Sequence, residues 1–165
     1  MEFLHSIGMV DTATPLPVIL IRLAIAMMFG AIIGFEREVG LHAAGLRTHM
    51  LIALAACLYT LLAQEIFNMP AVLGNGRSDP IRAIEAVTAG IAFLGAGAIF
   101  RRNSSPRGLT TGAGIWLAGA LGMTAALGYY LVGLAVSVAA VGVLMFLKLV
   151  DRQLGRIRQA NPRED

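Results

Sequence analysis

Long apolar runs alternate with short clusters of charge and glycine along this chain, and the runs are all close to one length. Crossing ~30 Å of bilayer hydrocarbon at ~1.5 Å per residue takes a helix of ~20 mostly apolar residues. Five segments reach that length within a few residues: about Leu16 to Phe35, Thr48 to Phe67, Ile81 to Phe100, Leu109 to Leu127 and Tyr129 to Val150. The last two nearly touch at Leu127-Gly128-Tyr129. Some ~40 apolar residues cannot cross a bilayer only once, so the glycine predicts a tight hairpin there. The pattern therefore predicts an all-α membrane protein with five transmembrane helices over residues 16–150. An N-terminal segment, residues 1–15, precedes them on the extracytoplasmic side. A charged tail, residues 151–165, follows as an interfacial helix ending at Pro162.

Composition removes the soluble alternative. Of 165 residues 57% are hydrophobic and 14% charged, where an ordinary soluble domain has about 25% charged residues. A soluble surface this apolar would not stay dispersed. The net charge of +3 and a pI near 9.6 raise the question of nucleic acid. The basic residues gather at helix ends rather than along one face, so membrane orientation accounts for them and no nucleic-acid partner is expected. The first sixteen residues lack a basic leader region, so no cleavable signal peptide is expected. Cys57 is alone in an apolar run, which leaves no disulfide framework and no cysteine metal site.

Orientation follows from lysine and arginine in the connections. Arg37 and Arg47 follow the first span, Arg101, Arg102 and Arg107 follow the third, and Lys148, Arg152, Arg156, Arg158 and Arg163 close the chain. The other side holds only Arg77 and Arg82, a split of ten against two. The N-terminus is expected outside and the C-terminus in the cytoplasm.

One internal similarity stands out. GAIIGFER at residues 30–37 aligns with GAGAIFRR at 95–102, and GLRTH at 45–49 with GLTTG at 108–112. Spans one and two then form a parallel repeat with spans three and four, related by an axis along the membrane normal, and span five is an addition.

Candidate chemistry lies at the span ends. Glu36 closes the first span, where the negative end of the helix dipole disfavours a carboxylate. Arg37, Arg47, Arg101 and Arg102 share its membrane depth, which predicts a cytoplasmic ion-pair and partner-binding cluster. Removing Glu36 is expected to destabilise more than removing Glu38 one step into the loop. Thr48, Thr110 and Thr111 stand where the second and fourth spans begin, with Gly45, Arg47, Arg107 and Gly108 beside them. They either cap free backbone amides or help hold an anion at the helix start. Arg22 lies about two turns, ~10 Å, into the first span, either snorkelling or paired with Glu65 or Glu85. Gly30 and Gly34 form a GxxxG packing motif, and Gly95 and Gly97 in FLGAG predict a locally unwound or unusually close segment.

Enzyme chemistry finds no support: there is no nucleophile–base pair or phosphate loop, and His5, His42 and His49 are scattered. No cofactor is expected. A magnesium path wants several carboxylates facing one axis, and the outer side offers only Asp11, Glu65, Asp79 and Glu85.

Arg22, GAIIGFERE, AGLRTH, DPIRA, GIAFLGAG and RGLTT with Trp116 following, in this order, resemble the membrane domain of the MgtC/SapB family over about residues 20–125. Ala92 departs from the family's GIGFLGAG, and Gly112 replaces an alanine. The charged tail ends where virulence-associated members continue into a cytoplasmic domain, so the short, SapB-like branch is the nearer comparison. The resemblance implies an inner-membrane protein of magnesium starvation and acid adaptation. Such proteins modulate other membrane proteins, including the ATP synthase and sensor kinases, although they were once taken for magnesium transporters. The expectation is a non-catalytic modulator, a homodimer partnered by lipid and other membrane proteins. An ion transporter or channel is the alternative.

Overall fold

Apolar length, interrupted by glycine and charge, sets the architecture. The computed structural model of the protein describes residues 12–68, 79–102 and 105–160. The predicted N-terminal segment before residue 12, Arg77 with most of its loop, and the chain after residue 160 lie outside the described residues.

Five helices form: α1 (Leu16–Val39), α2 (Leu46–Phe67), α3 (Pro80–Gly97), α4 (Leu109–Ala126) and α5 (Tyr130–Ala160). Prolines sit in the first turns of α1 and α3, where a missing N–H does no harm. Helices α1, α2, α4 and the Tyr130–Lys148 part of α5 are long and apolar enough to cross a membrane. The fold is thus an all-α membrane type.

Three boundaries differ from the hydropathy pattern or sharpen it. Helix α3 stops at Gly97 rather than Phe100, and β1 (Phe100–Arg102) pairs antiparallel with β2 (Ser105–Arg107) in a short hairpin. Gly95 and Gly97 weaken the helix end, and branched Ile99 with Phe100 favours the extended backbone that follows. Helix α5 runs unbroken past residue 150 to Ala160. Between α4 and α5, Gly128 takes a φ of +82° and makes the tight hairpin its residue type foretold.

Helix α4 is the hub and touches each of the other four. An apolar helix buried on several sides needs no single greasy face, and α4 alternates alanine, glycine and leucine around its girth. Phe29 and Ile33 of α1, Cys57 and Leu61 of α2, and Leu121 and Ala125 of α4 form one core cluster. A second holds Ile52 and Ala56 of α2, Ile91 of α3, and Ile115 and Ala118 of α4. Helices α1 and α2 meet backbone to backbone: a Cβ on Gly30 would lie 2.5 Å from the His49 carbonyl oxygen. Helices α3 and α4 do the same more loosely, a Cβ on Gly95 falling 3.2 Å from the Gly112 carbonyl oxygen. The FLGAG helix is intact through Gly97; Gly95 makes the approach to α4, while a Cβ on Gly97 would meet no atom within 4 Å.

Candidate functional site

The corner between α1 and α2 gathers the richest chemistry. Leu41 turns the chain at a φ of 54°, and the His42 amide donates back to the Arg37 carbonyl. This reversal brings Glu38 to the start of α2, where its Oε2 accepts the Leu46 amide at 2.9 Å. The first amides of a helix lack intrahelical partners and carry its positive dipole end. The chain therefore supplies its own anion there. Gly45 is the N-cap, and a Cβ on it would collide with the Glu38 carboxylate.

Glu36 and Arg37 form an ion pair at 3.4 Å, with side chains 11% and 5% exposed. The Arg37 Nε is buried without a hydrogen-bond partner among the described residues. Glu36 also borders a groove of about 330 Å³ with Phe35, Met145 and Lys148. Of the five residues expected to cluster here, Glu36 and Arg37 meet, while Arg47 points to the surface and makes no ion pair among the described residues. For Arg101 and Arg102 only the backbone, in β1, is described. His42 lies over this corner. Partial desolvation first, and the Arg37 cation second, hold its imidazole below the ordinary 6.5; Glu36 opposes the shift and Lys148 adds to it.

Histidine 49, which sequence reasoning passed over as one of three scattered histidines, is fully buried at this corner. Its Nδ1 lies 2.8 Å from the Gly45 carbonyl oxygen. With the proton assigned to Nδ1 by that contact, Nε2 faces Gly114 of α4 and finds no partner among the described residues. The signal was local: a histidine four residues after an N-cap glycine meets that glycine's carbonyl one turn back.

At the start of α4 the N-cap is again a glycine, Gly108, at a φ of +84°. Neither α2 nor α4 has a side-chain cap from its threonines. Thr48 is half-buried, Thr110 and Arg107 are exposed, and Thr111 is buried.

The opposite end of the bundle repeats the use of carboxylates as helix-start anions. Glu65, near the end of α2, accepts the Ala13 amide at 2.6 Å and the Thr14 amide at 2.9 Å, just ahead of α1. Asp79 accepts the Ile81 amide at 3.0 Å and caps α3. Between these ends lies a cleft of about 780 Å³ whose polar lining includes Arg22, Thr60, Gln64, Asn68 and Asp79. Arg22 finds neither expected acid: among the described residues it makes no ion pair, Glu65 is engaged with α1, and Glu85 is exposed. Its Nε is buried and unpartnered among those residues.

Known proteins resemble this chain in sequence. A model of the MgtC family matches residues 23–153. The chain is 37% identical over 138 residues to "Putative magnesium transporter YhiD" of Escherichia coli (strain K12), covering 83% of this chain and 64% of that protein. It is 35% identical over 141 residues to "Protein SapB" of Bacillus subtilis (strain 168), covering 84% and 60%. With "Protein MgtC" of Brucella abortus (strain 2308) it shares 38% identity over 101 residues, 61% of this chain and 39% of that protein. The chain thus spans less than two thirds of the length of these relatives. No solved structure matches it.

Proposed function

The chain belongs to the MgtC family, and from that premise we propose that it is a non-catalytic modulator of other membrane proteins. It works as a homo-oligomer in adaptation to low magnesium or acid stress. Its five helices all span the bacterial inner membrane, with the N-terminus outside and the C-terminus in the cytoplasm, as the distribution of basic residues suggests.

One observation carries this reading. Four of the described carboxylates are tied up within the chain: Glu36 by Arg37, Glu38 by the start of α2, Glu65 by the start of α1, and Asp79 by the start of α3. Magnesium demands near-octahedral oxygen coordination and gives up its water reluctantly. A path for it needs converging free carboxylates or carbonyls. The large cleft at the α1 start sets the Arg22 guanidinium, which repels a divalent cation, against a single carboxylate, Asp79, already holding the Ile81 amide. Buried hydroxyls offer little more, because Thr60 and Ser137 donate to the carbonyls of Ala56 and Gly133 one turn back on their own helices. A modulator needs only a shaped surface, and α5 presents Leu131, Leu134, Val138 and Phe146 outward.

The relative named as a putative magnesium transporter supplies the rival reading, an ion transporter. Cells expressing the chain separate the two. A shift in cellular ATP or membrane potential, without saturable ion uptake in protein-containing liposomes, supports the modulator. Saturable uptake abolished by Glu36→Gln overturns it.

The parallel repeat is part of the same proposal. Gly30 and Gly95 are equivalent in the sequence alignment, as are His49 and Gly112. The support is that each glycine approaches the carbonyl of the residue equivalent to the other's partner.

A further inference from the structure

The cleft around Arg22 has a neighbour on the same pair of helices, with which it shares no lining residue. Its α2 wall is made by Thr60 and Ala63, and its α3 wall by Ala83 and Ile84. One turn further into the bilayer on the same two helices, Tyr59, Ala55 and Leu51 face Val87, Gly90 and Phe93 across a second groove of about 650 Å³. That groove is almost wholly apolar in its lining. Helices α2 and α3 thus border a polar chamber holding Arg22 and Asp79 near the α1 start and a greasy slot deeper in the bilayer.

We propose that the Arg22 cleft and the α2–α3 groove are one site for an anionic phospholipid of the adjoining leaflet, its phosphate against Arg22 and an acyl chain along the groove. Three features identify this occupant. The guanidinium has a buried Nε without a protein partner among the described residues, and arginine matches phosphate oxygens with a fork of donors. Neither nearby acid pairs with it among the described residues: Glu65 accepts the Ala13 and Thr14 amides, and Asp79, which lines the same cleft, accepts the Ile81 amide through Oδ1. Thr60, whose hydroxyl donates to Ala56, holds its proton away from the cleft and leaves the neighbouring Gln64 and Asn68 to meet glycerol or headgroup oxygens. The groove below has space where helices normally interlock, since a Cβ on Gly90 would meet no atom within 4 Å. A free phosphate would use the upper chamber alone and leave the groove empty. A partner's transmembrane helix would fill the groove but bring no anion to Arg22.

This inference stands apart from the modulator reading and is tested separately. The full chain is purified in mild detergent, and co-purified or added phosphatidylglycerol and phosphatidylethanolamine are counted by native mass spectrometry. Phosphatidylglycerol is expected to be retained in preference to phosphatidylethanolamine. Arg22→Gln is expected to lower that retention about fivefold, the weight of one cation against an anionic headgroup, whereas Arg82→Gln, an exposed arginine near the same end, leaves it unchanged. Gly90→Leu improves helix propensity and fills open space, so it keeps the thermal midpoint while lowering retention. Equal retention by the Arg22→Gln protein and the unaltered chain overturns the proposal, as does equal retention of the two lipids. Displacement of the lipid by inorganic phosphate, with Gly90→Leu without effect, overturns it too.

Discussion

The Glu38 carboxylate accepts the backbone amide of Leu46 at 2.9 Å, so the residue that leaves α1 also begins α2. This contact ties the turn between the two helices shut and places negative charge at the positive end of α2. Glu38→Gln keeps an acceptor and loses the charge, and Glu38→Ala loses both. The expected cost is about 1 kcal/mol for Glu38→Ala, the usual worth of a helix cap, and less for Glu38→Gln. Thermal unfolding in detergent measures both, and a stability unchanged by Glu38→Ala would contradict the capping role.

Glu36 plays a different part. Its partner Arg37 is buried, and truncating one member of a buried pair leaves an uncompensated charge, at on the order of 3 kcal/mol. Glu36→Ala is therefore expected to lower the melting temperature more than Glu38→Ala. Equal or reversed effects in paired melts would remove Glu36 from the interior of the fold.

Backbone approach predicts a graded glycine series. Gly30→Ala drives a Cβ to 2.5 Å from the His49 carbonyl oxygen, Gly95→Ala only to 3.2 Å from that of Gly112, and Gly90→Ala meets open space. Gly30→Ala is expected to be severely destabilising and Gly95→Ala mildly so. Gly90→Ala is expected to be neutral or stabilising by up to about 1 kcal/mol through helix propensity. Expression and melting of the three variants check the order.

Acid tests His42. Its folded pKa lies below the ordinary 6.5, through desolvation and the Arg37 cation, so the unfolded chain takes up the proton more readily. Its contribution to stability is present above pH 6.5 and is lost as pH falls through the lowered folded value. Melting temperature is expected to decline below that pH, and His42→Gln to flatten part of the decline. Identical pH profiles for the two proteins would exclude His42 as a source.

Hydropathy revealed the helices and their membrane-spanning class because a span must be long and apolar wherever it lies. Gly128 revealed the α4–α5 turn for an equally local reason, the need for a positive φ. The β1–β2 hairpin escaped because three residues a side carry no readable periodicity. Contacts across folded distance escaped as well. Glu65 reaches Thr14 over 51 residues, and only the bend at Leu41 brings Glu38 back to Leu46. His49 looked isolated in sequence because its neighbours, Gly34 and Gly114, lie on other helices and have no side chains to announce a pocket. The Glu36–Arg37 contact was legible from helix position. The sequence could not show that Glu38, Glu65 and Asp79 would turn to helix starts instead of to one another.

The commitment of Glu36, Glu38, Glu65 and Asp79 within the chain is what the proposed modulator reading rests on. The most direct measurement is magnesium entry into liposomes containing the purified chain and an internal magnesium-sensitive dye, with a gradient imposed and the membrane potential clamped. The account predicts entry no faster than into empty liposomes across the whole concentration range. Saturable entry that Glu36→Gln, Glu65→Gln or Asp79→Asn abolishes would contradict it.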